Sequence, residues 1–327
     1  MRTNLTKQPS WLAVATFILL AGMLMFRFST GDTTHSDVMA TSPLGALLES
    51  IQLPSWLYVT LSIASLALSG ILTLVTITRH GLALVYAPLP MVLFLLVGFF
   101  IVPQADPLCS ALLSLMVLWS INQFIPVFQR QLSMQRIFAC NFILGVTALL
   151  YPPVMPFSLV FCVMAARFHY SANVVVVSLL GVILPLILAS WVWWLAGEPF
   201  LYVFDSIKSA FANGSLMSFI ELIPQDYYLH GVLALGFLIG IFTFMAIKKT
   251  ISFTLLITAK YAQDGLLALS FLAIIELLLG WADGAIFPIL GVVTTPLLYQ
   301  LYSKKHGKMA TLSYITLVIL AISTCLV

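Results

Sequence analysis

The stretch from Arg136 to Arg167 constrains this chain most. Between those cations runs IFACNFILGVTALLYPPVMPFSLVFCVMAA, which has no charge and a break at Tyr151-Pro152-Pro153. A membrane-spanning helix needs roughly 20 apolar residues, so the stretch is long for one span and short for two. Pro153 lacks an amide hydrogen and disfavours an α conformation at Pro152, which argues against one straight helix. Two short helices return Arg167 to the side of Arg136. That arrangement lets the rest of the chain obey the positive-inside rule. The tip at Tyr151-Pro152-Pro153 is then expected below the outer membrane surface, with a water-accessible recess above it.

The composition fits a helical membrane domain. Hydrophobic residues make up 61% and charged residues 8%, with a mean hydropathy of +1.10. Soluble domains carry about 25% charged residues. The formal net charge of +3 does not point to nucleic acid, because the cations flank apolar runs. Cys109, Cys140, Cys162 and Cys325 all lie in apolar stretches and form no CxxC pair, so neither a zinc site nor a disulfide framework is indicated. Arg2 and Lys7 precede the apolar run from Trp11 without an A-x-A-like site, which reads as an uncleaved first span.

Taken in order, the spans are expected near 11–28, 56–78, 82–102, 108–128, the short hairpin 137–167, 173–195, 228–247, 264–281 and 285–302, with a last span to the C-terminus. This is an all-α polytopic bundle of about eleven spans, with the N-terminus inside and the C-terminus outside. The whole chain, 1–327, forms a single membrane domain. Its outer loop, 29–54, contains a short interfacial helix opened by Ser42-Pro43, with Leu44, Leu47, Leu48 and Ile51 on one face. A second outer segment, 197–227, reads as an interfacial helix pair. In its first helix Phe200, Phe204, Ile207 and Phe211 oppose Asp205, Lys208 and Ser209. The stretch 251–261 is expected to lie along the inner surface. Almost every cation then falls inside, leaving Arg27 and Lys208 outside.

Few residues in this pattern can carry chemistry. Asp32, His35 and Asp37 occupy the first outer loop, where a carboxylate can act as a general base or help hold a divalent cation. The same loop also reads as ordinary solvated turn residues. Arg27 and Lys208 can meet the phosphate of a lipid, or simply snorkel and ride a polar helix face. Glu276 is the single carboxylate expected within a span, so it faces a cavity or a partner, or is neutral. Tyr151 can line the recess or anchor at the interface. Asn122, Gln123, Asn141 and Gln300 read as interhelical hydrogen-bonding groups. No P-loop, G-x-S-x-G or H-E-x-x-H is present, and the histidines are scattered, which argues against ATP hydrolysis, serine hydrolysis and di-iron oxidation.

The paired inner arginines, LGVTALLYPP, Arg167 and the run LLGVILPLILASWVWWLAGEP together resemble an uncharacterised family of bacterial multi-pass inner-membrane proteins. The resemblance covers about a third of the chain. It implies an address in the bacterial inner membrane and assigns no site. The layout alone is similar to the GT-C superfamily of polyprenyl-phosphate-dependent glycosyltransferases. Those enzymes also have an acidic first outer loop with an interfacial helix, short helices under an outward cavity, and later interfacial helices. That likeness implies Asp32 or Asp37 as the catalytic carboxylate. This chain departs from it in lacking a paired acidic motif after the first span and a C-terminal soluble domain.

Three functions are compatible with these features. One is transfer of a sugar or related group from a polyprenyl-phosphate carrier on the outer face. In that reading Asp32 or Asp37 is the base, Arg27 and Lys208 hold phosphate, and Glu276 lines the cavity. The second is a non-catalytic subunit of an envelope assembly or secretion complex. The third is a lipid or small-molecule transporter with a midplane site at Glu276. No organic cofactor is implied. The layout itself is testable with single cysteines and an impermeant thiol label in intact cells. D37C and S209C are expected to label, and K305C only after the membrane is opened. Labelling of K305C in intact cells would mean that 137–167 crosses the membrane once.

Overall fold

A computed structural model of the chain describes residues 41–50, 54–80, 89–99, 107–128, 133–169, 171–212, 257–303 and 314–319, plus isolated positions elsewhere. Among them the structure is helical and contains no strand. The helices are α1 (Pro43–Ser50), α2 (Ser55–Arg79), α3 (Leu89–Phe99), α4 (Pro107–Phe124), α5 (Met134–Leu150), α6 (Phe157–His169), α7 (Ala172–Leu195), α8 (Tyr202–Ala212), α9 (Ile257–Leu278) and α10 (Ile286–Ser303). Single 3-10 turns follow α4 at Ile125–Phe128 and α5 at Pro152–Val154. Among the described residues, four helices are long and apolar enough to cross a membrane: Trp56–Arg79, Leu108–Phe128, Ala172–Leu195 and Lys260–Leu278. The spans expected near 11–28, 228–247 and the C-terminus, and the second interfacial helix after Ser215, lie largely or wholly outside the described residues.

The centre of the bundle is the antiparallel pair α3 and α10. Both are apolar on every side, and such helices belong in a core rather than at a surface. Residues 89–98 and 285–300 are all buried. Glycine sets their separation. A Cβ on Gly291 would sit 2.9 Å from the Gly98 Cα, and one on Gly98 would sit 3.2 Å from the Pro288 Cα. The small-residue contact takes the place of a hydrophobic driving force that lipid cannot provide. Pro90 and Pro288 stand in the first turns of their helices, where a missing N–H is tolerated. Helix α3 is described from Leu89; residues 83–88, the start of the span expected over 82–102, lie outside the described residues. The Gln300 Nε2 donates to the Leu82 carbonyl at 3.0 Å, tying the far end of α10 to the approach to α3.

The stretch between Arg136 and Arg167 forms two helices, α5 and α6, with Tyr151 extended at φ −146°, ψ 93° ahead of Pro152. At 1.5 Å per residue they are about 25 Å and about 20 Å long, against a hydrocarbon core of about 30 Å. Helix α7 lies parallel to α5. Gly145 faces Pro185 and Val182, and Gly181 faces Phe138 and Asn141. Ile137, Ala165 and Val174 cluster at one end of this group, and Leu149, Leu186 and Ala189 at the other.

The described cations collect by end. Arg79 and Arg136 both act on His80, whose Nε2 lies 2.7 Å from the Asn122 Oδ1. Arg167 closes α6, and Tyr261, next to Lys260, packs on Phe128 and Phe168. The opposite end holds the hairpin tip, Glu198, Asp205, Lys208, Glu276 and Asp283. Two expectations are corrected here. Residues 257–261 belong to α9 and do not form a separate surface segment, because the apolar face of α9 continues through Tyr261 and Ala262 onto the aromatic cluster. Asn141 donates to the Ile137 carbonyl of its own helix at 2.8 Å rather than across a helix pair.

The α5–α7 contact gives a direct test. A Cβ at Gly145 would lie 2.5 Å from the Pro185 Cγ and 2.7 Å from the Val182 carbonyl oxygen, so G145A overpacks a rigid contact. It is expected to destabilise the protein by about 1–3 kcal/mol, read as a lower thermal midpoint in detergent. Gly22 has nothing within 4 Å of such a Cβ, and G22A is the matched control.

Candidate functional site

Among the described residues, Glu276, Asp283 and Tyr151 gather at the hairpin-tip end. Helix α9 delivers the first. It ends in a Schellman cap, in which Gly280 adopts φ 68°. The Gly280 N–H reaches the Leu277 carbonyl at 3.1 Å, and the Trp281 N–H reaches the Glu276 carbonyl at 3.0 Å. Glu276 therefore lies in the last turn of α9, near one end of the bundle. Its side chain is 0% exposed, and among the described residues neither carboxyl oxygen has a hydrogen-bond partner.

The turn after α9 delivers the second group. Asp283 precedes α10, and its Oδ1 accepts the Ala285 N–H at 3.0 Å, while its carbonyl accepts the Ile286 N–H at 3.1 Å. The N-terminal end of a helix carries partial positive charge, which suits a carboxylate. The hairpin delivers the third. The Tyr151 hydroxyl donates to the Asp283 Oδ1 at 3.0 Å and accepts the Asp283 N–H at 3.1 Å. Glu276 lies near enough to act electrostatically on that hydroxyl.

Helices α1 and α8 cover this group. Ser42 caps α1, its Oγ accepting the Gly45 N–H at 3.1 Å and donating to the Leu150 carbonyl at 2.7 Å. That bond satisfies a carbonyl at the end of α5 whose helical partner, the Val154 N–H, goes to the Tyr151 carbonyl instead. Helix α8 places Val203 and Ile207 on Leu149, Leu186 and Ala189, and the Phe211 ring meets Trp281 edge-on at 5.5 Å. The Ser206 hydroxyl donates to the Thr41 carbonyl at 2.6 Å, joining the two covering helices. The space above the tip is thus filled. Tyr151, Pro152, Pro153 and Val154 are buried, in place of the open recess expected there.

The other predicted residues lie apart from this group or outside the described chain. Lys208 is exposed on the face of α8 opposite Val203 and Ile207. Arg27, Asp32, His35 and Asp37 fall outside the described residues. Among the described residues no group of three or more His, Cys, Asp or Glu stands ready to hold a metal ion. Asp283 was not singled out from the sequence, where Asp283-Gly284 reads as a plain turn. The available signal was its position just ahead of an apolar helix, where a carboxylate serves the first backbone N–H groups.

Tyr151→Phe removes a hydroxyl that both donates and accepts, leaving the Asp283 N–H without that oxygen. The expected loss is about 1–3 kcal/mol in the unfolding free energy in detergent. S42A, which strips the cap of α1 and orphans the Leu150 carbonyl, is expected to cost a similar amount. An unchanged midpoint in both variants would show that the tip is not held by these bonds. No protein-family model, curated protein or solved structure matches this chain.

Proposed function

We propose that this protein works at the outer face of a bacterial inner membrane, transferring a sugar or related group from a polyprenyl-phosphate carrier. The observation that carries the reading is α8. One face packs on the hairpin tip, and the other exposes Asp205, Lys208 and Ser209, with the exposed apolar residues Phe200 and Leu201 just ahead of the helix. A surface helix with a cation on its exposed face and apolar residues leading into it suits a phosphate joined to a long hydrocarbon tail. In this reading Asp32 or Asp37 is the general base, and Arg27 joins Lys208 on the phosphate. The outer position of α8 follows from the positive-inside layout. The carboxyls of Glu276 and Asp283 collect at the same end as Lys208, which supports placing the chemistry there.

The test begins with gently purified protein and mass spectrometry of its lipids. A polyprenyl phosphate is expected to co-purify, and its occupancy to fall in K208A. Vesicles loaded with a polyprenyl-phosphate sugar are then expected to show transfer that the D32A/D37A double variant abolishes. Full activity in the double variant would overturn the assignment. A stably co-purifying protein, no polyprenyl phosphate and tolerance of these substitutions would instead support a subunit of an envelope complex.

A further inference from the structure

Glu276 is not explained by packing. It is fully buried, both its oxygens lack a partner among the described residues, and its neighbours Ala273, Ile274 and Leu277 on α9 are apolar and buried. An ionised carboxylate without a donor is costly in such surroundings, whereas the uncharged acid is tolerated. Among the described residues, the titratable groups close to it are Tyr151 and Asp283, which are engaged with each other. On α8, Asp205 and Lys208 are exposed. No described cation is placed to balance a charge on Glu276.

Both covering helices are joined to the framework around this carboxyl. Helix α8 meets Trp281 through Phe211, and the Trp281 N–H is bound to the Glu276 carbonyl. Helix α1 holds the Leu150 carbonyl, and the next residue, Tyr151, holds Asp283. These contacts tie the covering helices to the turn and the hairpin tip on either side of Glu276.

We propose that Glu276 is a proton-binding site that latches the cap. With its proton bound, α1 and α8 stay docked over the hairpin tip. When α1 and α8 part, water enters, takes the proton and solvates the carboxylate. Raising the pH therefore favours the open form, since that form binds fewer protons. The latch does not depend on which lipid, if any, the protein uses.

The experiment uses the full chain in lipid vesicles, with Cys109, Cys140, Cys162 and Cys325 replaced by alanine. A189C places one thiol beneath α8, where Ala189 is buried against Val203 and Ile207. S209C, on the exposed side of α8, is the reference. A membrane-permeant maleimide is applied from pH 5.5 to 8.5. The A189C rate relative to S209C is expected to rise by up to about tenfold per pH unit while Glu276 titrates. E276Q and E276M, neither of which titrates, are expected to flatten the ratio at its low-pH value; using both guards against one failing to fold. A flat ratio in the parent would overturn the latch. So would a rise of the same size in the Glu276 variants.

Discussion

Lipid offers no hydrogen bonds, so a helix that ends inside a bundle must find partners for its last carbonyls within the protein. The rest of this structure depends on how that demand is met at Leu150. Its helical partner would be the Val154 N–H, which goes to the Tyr151 carbonyl at 3.2 Å instead. The Ser42 hydroxyl supplies the missing bond from a helix more than a hundred residues earlier, at 2.7 Å. Its position brings α1 onto the tip, and the Ser206 bond to Thr41 brings α8 onto α1. A local defect in one helix thereby determines the roof of the bundle at that end.

Elsewhere polar side chains are used sparingly and mostly within their own helices. Thr73, Thr147, Ser270 and Thr295 each return a hydrogen bond to the carbonyl four residues back. The Ser120 hydroxyl crosses from α4 to the Cys140 carbonyl of α5 at 2.8 Å. Close approach is left to glycine, at Gly98 and Gly291 in the centre and at Gly145 and Gly181 beside the hairpin. Against this background Glu276 stands out, because the nearby Tyr151 and Asp283 satisfy each other and leave it aside.

The legible parts of the sequence were those with a local cause. Prolines at 152 and 153 marked the break between α5 and α6, and Ser42-Pro43 marked the start of α1. Long apolar runs marked the four helices able to span a membrane. Properties that depend on pairing were not legible. Tyr151 and Glu276 were noticed, one as an aromatic at a break and the other as a carboxylate in an apolar run. Nothing in the pattern said that Asp283 would hold the first and not the second. The expected recess failed for the same reason. Amphipathic stripes identify α1 and α8 as surface-seeking helices, yet their landing place depends on single bonds such as Ser42 to Leu150.

The Tyr151–Asp283 contact also orders the making of the protein. The two residues are separated by 132 positions. At ordinary rates of synthesis, Asp283 emerges on the order of ten seconds after Tyr151. During that interval the hairpin is already in the membrane, with a tyrosine hydroxyl that has yet to meet its carboxylate. The Tyr151–Asp283 contact can therefore close only after α9 and the turn that follows it have been made.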